Sequence, residues 1–328
     1  MQPARAQLNE SRRMKLLKTL ARIPNFLWVN IAMMIIFAMI SDRYMTVHNM
    51  INIMQQGSVL LIVSAAMTMV ILSEGLDLTL GAVMTMAGIV SVLALRAGWS
   101  VPMAVIFGIL SGAFMGAMTG TLVAIYKMPP FIATLGMQGV IYGFTLAFTN
   151  SAAIFTNNAS FIVLGSKIGQ YIPVAAIFAA IIFVAIWAIL HHTRFGRYTV
   201  AIGGNEAGTR LSGVNTTFWK WFVYVFAGIV AAIGGIILAA RLEAADPIVG
   251  VGWEFDAIAA TILGGTSFSK GKGDVSGTVL GVLLITVLRN GMNVVGTPTI
   301  WQPALTGTII IFAIAFQVWM SMREDARK

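Results

Sequence analysis

The sequence has no cysteine, only three histidines and little charge: 10% of its 328 residues are Asp, Glu, Lys or Arg. The missing cysteine excludes disulfides, thiolate catalysis and cysteine-ligated metals. His191 and His192 are adjacent, so they point to different faces of a helix. They fall at the end of an apolar run, where histidine ordinarily meets a helix dipole or headgroups. No HExxH, paired-carboxylate or nucleophile-elbow motif occurs. Lys272 is followed by Gly273, so the chain carries no phosphate loop of its own. These absences leave an enzyme little to work with, and no metal or cofactor is expected in this chain.

A soluble domain carries about 25% charged residues; this chain has less than half of that and is 58% hydrophobic. Long apolar runs recur from Pro24 to Met320, many near the ~20 residues that cross a bilayer. Read against turn signals, they predict ten spans: 24–41, 55–73, 77–95, 101–126, 130–149, 172–192, 218–240, 254–267, 275–295 and 300–320. The run Phe26–Ile40 ends in "SDRYMT", without a small-x-small cleavage site, and reads as an uncleaved first span. The expected fold is an all-α polytopic membrane protein with both termini cytoplasmic. Its parts are a basic segment 1–23, a membrane domain 24–320 with a cytoplasmic loop 193–217, and a tail 321–328.

The net charge of +9 invites a nucleic-acid reading, but its placement argues for topology instead. With the N-terminus inside, the inner segments collect Arg5, Arg12, Arg13, Lys15, Lys18, Arg22, Lys127, Arg194, Arg197, Arg210, Lys220, Lys270, Lys272, Arg323, Arg327 and Lys328. The outer segments hold only Arg43, Arg96, Lys167, Arg241 and Arg289. That asymmetry is what positive-inside insertion demands, so no nucleic-acid partner is expected.

Ten spans divide five and five around the outer loop 150–171, and halves with odd span numbers insert in opposite senses. The topology thus permits an inverted repeat. "GLDLTLGAVMTMAG" (75–88) and "EFDAIAATILGG" (254–265) both set an aspartate before a small-residue helix. Gly108, Gly112, Gly116 and Gly120 form a small-xxx-small ridge for close packing within one bundle, and Gly277 with Gly281 repeats the device. The eighth span is short and interrupted by Gly264, Gly265, Gly271 and Gly273. Broken backbone at membrane depth needs protein or a watery cavity around it, which makes this region a candidate moving part.

Glu74 and Asp77 are read as lying in a short inner turn where neither need be buried, with Asp77 capping the third span. No acid is placed near a membrane centre, which weakens a proton-coupled carrier. A neutral, hydroxyl-rich solute would want amides, hydroxyls and aromatic faces. Thr134, Gln138 and Tyr142 share one helix face; Asn290 and Asn293 lie in the ninth span, with Gln302 just beyond. Interhelical hydrogen bonding explains the same residues equally well.

"GGNEAGTRLSGVN" (203–215) is a polar stop in an oily chain. Asn205 suits an N-cap, Glu206 the first turn, Arg210 an i+4 ion pair with it, and Gly213 a C′ position. About two helical turns are too short to be stable alone. Ala207, Leu211 and Val214 recur at i, i+4 and i+7, so the helix needs a surface: another protein or the lipid headgroups.

"RFGRYTVAIGGNEAGTRLSGVN" (194–215) resembles the cytoplasmic loop of bacterial ABC-transporter permeases of the ribose/xylose/galactose sugar-uptake family. "EFDAIAATILGGTSFSKGKGDVSGTVLGVLLITVLRNGMN" (254–293) is similar to that family's second signature. "SEGLDLTLGAV" (73–83) resembles the first, usually Gly-Gly-Ile-Asp-Leu-Ser; Glu74 and Leu76 depart from it, which calls a special backbone role of position 74 into question. The resemblance implies an importer working by alternating access in the bacterial inner membrane. It implies that Asn205, Glu206, Ala207, Gly208, Thr209, Arg210, Leu211, Ser212 and Gly213 form the coupling helix. The implied partners are a tandem-domain ATPase that binds ATP and Mg, a second permease chain and a periplasmic sugar-binding protein. The binding protein would dock on segments 150–171 and 241–253, with Arg241, Glu243 and Asp246 as contacts. The rival reading is an ion-coupled secondary carrier of a small polar solute.

Overall fold

The computed structural model describes residues 25–268, 271–298, 300–302 and 304–308, with 311 and 315. Segments 1–23 and 321–328, Lys270 and most of the tenth predicted span therefore lie outside the described residues, although 304–308 are helical.

The chain runs α1 (Asn25–Ile40), α2 (Val47–Leu72), α3 (Leu80–Arg96), α4 (Val101–Gly120, extended by a π-turn Thr121–Ile125) and α5 (Pro130–Thr149). A short helix α6 (Ala159–Ile162) leads to α7 (Val174–His192), α8 (Arg194–Leu211), α9 (Thr216–Leu242), α10 (Trp253–Leu263) and α11 (Val275–Val295). Six of these, α2, α4, α5, α7, α9 and α11, are long and apolar enough to cross a membrane, and α1 and α3 hold shorter apolar helices. The protein is a multi-pass, all-α membrane protein.

Several boundaries follow from local chemistry. Thr46 accepts from the Asn49 N–H and starts α2 eight residues before the apolar run predicts, because polar His48, Asn49 and Asn52 sit in its first two turns. Pro130 opens α5 as its N1 residue, where the absent N–H costs nothing. α10 corrects the eighth predicted span. Its 11 residues are about 16 Å of helix, half of the hydrocarbon thickness.

α2 and α9 form the centre of the bundle; α4, α5 and α7 turn much of their apolar surface outward. The glycine ridge of α4 meets α9 within this one chain. A Cβ on Gly112 would overlap the Gly228 carbonyl and one on Gly116 the Tyr224 carbonyl. Gly277 and Gly281 likewise abut the Gly264 and Ala260 carbonyls of α10. Lipid gives helices no hydrophobic drive to associate, so backbone approach of this kind supplies the contact. Buried hydroxyls add to it: Thr68 of α2 lies 2.8 Å from Thr278 of α11, and Thr261 of α10 donates to the Ser64 carbonyl.

Two segments that hydropathy places at the surface enter the bundle. Asp77 is buried, not exposed in a turn. It does not cap α3: its Oδ1 accepts from the Thr79 N–H and hydroxyl, and Thr79 holds the N-cap position. The reason is that residues 75–79 run beneath α9, where the Tyr224 hydroxyl donates to the Leu76 carbonyl. Segment 246–252 dips in a similar way, and Gly250 packs on Gly81 and Thr85 of α3. Glu74 has φ 58°, a left-handed backbone that glycine tolerates and other residues resist. Position 74 thus keeps the backbone role that the departure from glycine put in question.

Candidate functional site

Segment 193–217 is mostly helix. α8 breaks at Asn205, whose extended backbone (φ −164°, ψ 93°) separates Arg194–Gly204 from a second short helix ending at Leu211. The upstream half buries Phe195, Gly196, Thr199, Ile202 and Gly203, a face whose glycines and threonine hide it from a hydropathy window. It lies flat under the bundle: a Cβ on Gly203 would overlap the Leu72 carbonyl, and Gly271 packs on the Val200 carbonyl. The downstream half has its predicted caps. Asn205 Oδ1 accepts from the Gly208 N–H at 2.8 Å, and Gly213 adopts φ 84°.

Glu206 is the electrostatic centre of this half. It pairs with Arg210 at 3.1 Å, with Lys220 of α9 at 3.1 Å and with Lys127, after α4, at 3.5 Å. The Thr216 hydroxyl donates to it as well. Burial alone would raise this carboxyl, but Lys220 and then Lys127 and Thr216 hold it below the ordinary glutamate value. Ala207 is exposed and Val214 half-buried, while Leu211 is 90% exposed. The helix is therefore anchored on its charged side and bare on its apolar side. Ser212 closes it by donating back to the Gly208 carbonyl, and Thr209 bonds the Asn205 and Ala201 carbonyls across the break.

The polar residues singled out for a solute path separate into three places. Thr134, Gln138 and Tyr142 share the face of α5 turned to the bundle, not an open wall. Thr134 is buried against its own helix, and Gln138 donates to Glu254 at 2.7 Å. Asn290 exchanges two hydrogen bonds with Asn49, at 2.8 and 2.9 Å, and is buried. Asn293 and Gln302 bond each other at 2.7 Å and line a cavity of about 250 Å³ with Gln56, Trp253, Asp256 and Arg289.

That cavity also takes in Arg241, which therefore turns inward instead of standing on the rim. The cause is that α9 continues through Leu242 before capping at Glu243, which has φ 53°. Glu243 is exposed, and Asp246 accepts from the Ile248 N–H in a tight turn. The two outer segments are joined: Ile154–Phe155 pairs antiparallel with Ala244–Ala245.

Two buried acids were missed. Glu254 and Asp256 lie in the first turn of α10, at 1% and 3% exposure, and Asp256 meets Arg289 of α11 at 2.6 Å. Hydropathy had set both at a span's outer edge; only the dip of 246–252 carries them inward. Among the described residues no group of three or more histidines or acids could hold a metal ion.

The family model of branched-chain amino acid transport system permease components matches residues 49–314. The chain is 40% identical over 293 residues to the ribose import permease protein of Escherichia coli (strain K12), covering 87% of this chain and 91% of that one. It is 37% identical over 284 residues to the ribose import permease protein of Bacillus subtilis (strain 168), covering 86% and 88%. To the D-allose transport system permease protein of Escherichia coli (strain K12) it is 35% identical over 284 residues, covering 85% and 86%. No solved structure matches the chain. With a family match over most of its length and relatives of this identity, the chain belongs to the family of transport-system permease components.

Proposed function

We propose that this chain is the membrane permease of an ATP-driven importer that carries a monosaccharide across the bacterial inner membrane. The sugar assignment leans on relatives named for ribose and D-allose import. A second permease chain, a tandem-domain ATPase that binds ATP and Mg, and a periplasmic sugar-binding protein complete the assembly. Residues 205–213 seat in the ATPase. The paired segments 150–171 and 241–253 receive the binding protein, with Glu243 and Asp246 on the rim, and charges in such places steer encounter more than they hold it. ATP binding and hydrolysis then shift the populations of inward- and outward-open states.

The observation that carries this reading is the bare Leu211 on a capped helix that Glu206 ties to the bundle. An apolar side chain held in water at the tip of an anchored element is a docking knob. The test is uptake of labelled D-ribose into vesicles carrying the chain with its transport partners. Uptake should require ATP and survive collapse of proton and sodium gradients. Uptake that needs a gradient and no ATPase would favour an ion-coupled carrier instead.

A further inference from the structure

The cavity between α2, α9, α10 and α11 sits at the end of α9 remote from residues 205–213. The 27 residues of α9 put about 40 Å between the two. Its wall holds two amides on α2 and α11 (Gln56, Asn293), a third beyond α11 (Gln302), the Thr286 hydroxyl, the Trp253 ring and the Asp256–Arg289 pair. Much of this polar capacity is unused. The side chains of Gln56, Arg241 and Trp253 make no hydrogen bond among the described residues, and the Thr286 hydroxyl is buried at 3% exposure with no partner. Buried polar groups ordinarily find partners; Thr286 lacks one, and with the half-buried Gln56, Arg241 and Trp253 around the same space it describes a site for a polar ligand.

The chemistry of the wall narrows the ligand. Arg289 is matched by Asp256, which leaves one guanidinium, Arg241, among amides, a hydroxyl and an indole. Amides and an Arg–Asp pair offer donors and acceptors side by side, as the hydroxyls of a polyol require, and an aromatic ring covers an apolar sugar face. An anion would call for a cluster of cations, not for three amides. A volume of about 250 Å³ holds on the order of eight waters, enough for one small ring and too little for two. The neighbouring groove of about 450 Å³ between α2, α7 and α11 is lined by Met50, Ile53, Met54, Leu61 and Phe183 and gives hydroxyls almost nothing to bond. Thr286 lines both spaces and marks the border between them.

We propose that this cavity is a binding site for one neutral monosaccharide ring in transit, inside the membrane domain itself. The proposal rests on the sugar-permease reading and adds a defined stop on the path. The Trp253 ring stacks on the sugar face, Gln56, Asn293, Gln302 and Thr286 bond its hydroxyls, and the Asp256–Arg289 pair lines the remaining wall.

The test uses the full chain in lipid nanodiscs, with D-ribose as the probe and ligand-observed NMR as the readout. Binding should be saturable, and neutral sugars should compete. Gln56→Leu and Thr286→Val, which break no bond within the protein, should each weaken binding about tenfold while the thermal unfolding midpoint holds. In vesicles with the transport partners the same variants should slow ATP-dependent uptake without changing how the sugar concentration in the periplasmic compartment half-saturates it. Wild-type uptake with no saturable binding, or with both variants unaffected, overturns the site and leaves the permease reading standing. No ATP-dependent uptake of any sugar overturns both. Stronger competition by D-glucuronate than by neutral sugars overturns the neutral ligand.

Discussion

Glu206 Oε2 lies 3.1 Å from Lys220 Nζ, which joins the short helix 205–211 to the start of α9. A carboxyl held below its ordinary value stabilises the fold at higher pH and stops doing so as pH falls through its lowered value. The helix should stay seated at neutral pH and loosen only below the ordinary glutamate value of 4.5. Hydrogen exchange of amides 206–212 measures this. Protection that is the same at pH 7 and pH 3 would remove Glu206 as the anchor. Glu206→Gln should expose those amides already at pH 7.

Leu211 is the most exposed large apolar side chain of the described residues, so changing it disturbs nothing within the chain. Leu211→Asp should leave membrane insertion and the unfolding midpoint unchanged. Association with the ATPase should fall at least about tenfold, the cost of a buried apolar anchor replaced by a charge. Co-purification of the subunits and sugar-stimulated ATP hydrolysis both read it out. Normal coupled transport in this variant would sink the docking role.

Gly112 and Gly139 separate packing from lipid exposure. A Cβ on Gly112 overlaps the Gly228 carbonyl, while one on Gly139 meets nothing within 4 Å. Gly112→Val should destabilise the isolated chain by about 1–3 kcal/mol or more, and Gly139→Val by no more than ~0.5 kcal/mol. Unfolding in a graded detergent series compares the two.

The Asn49–Asn290 pair predicts a cycle. Either single change to Leu strands a buried amide and should cost about 1–3 kcal/mol; the double change to Leu should recover part of that loss. If Asn290 contacted the solute, Asn290→Leu would impair uptake beyond its effect on stability. Matching losses in Asn49→Leu and Asn290→Leu, in both stability and uptake, assign the pair to packing.

Glu74 predicts a gain. Its left-handed backbone costs about 1–2 kcal/mol for a side chain, part of which glycine returns through its freer unfolded state. Glu74→Gly should be neutral or stabilising by up to ~1 kcal/mol, and Glu74→Val should be the least stable of the three. A reversed order in thermal unfolding would show that the Glu74 side chain outweighs its backbone.

Long apolar runs with clean flanks were legible from the sequence. α5 begins and ends where Pro130 and Thr149 mark it, and α11 matches its predicted bounds, because an apolar run flanked by turn signals is written in its own residues. The caps of 205–213 were legible for the same reason: Asn205, Glu206, Arg210 and Gly213 interact within a few positions. Depth was not. Asp77 and Asp256 look like edge residues in any hydropathy window, and only the long-range contacts of 75–79 and 246–252 draw them inside. Gln138 and Asn290 looked like path residues because hydrogen bonding to a solute and to another helix use the same side chains. Their partners, Glu254 and Asn49, stand 116 and 241 residues away, and no local pattern announces them.

The glycine contacts between α4 and α9 also bear on how force crosses the molecule. Two rods touching backbone to backbone have no soft side-chain cushion between them, so they share strain as a single stiff beam. Glu206 grips that beam from both sides, through Lys220 on α9 and Lys127 after α4. Under the proposed docking, a push on Leu211 would travel along this beam toward its far end, where Arg241 sits. On the docking reading proposed above, this part of the chain delivers stroke more than affinity.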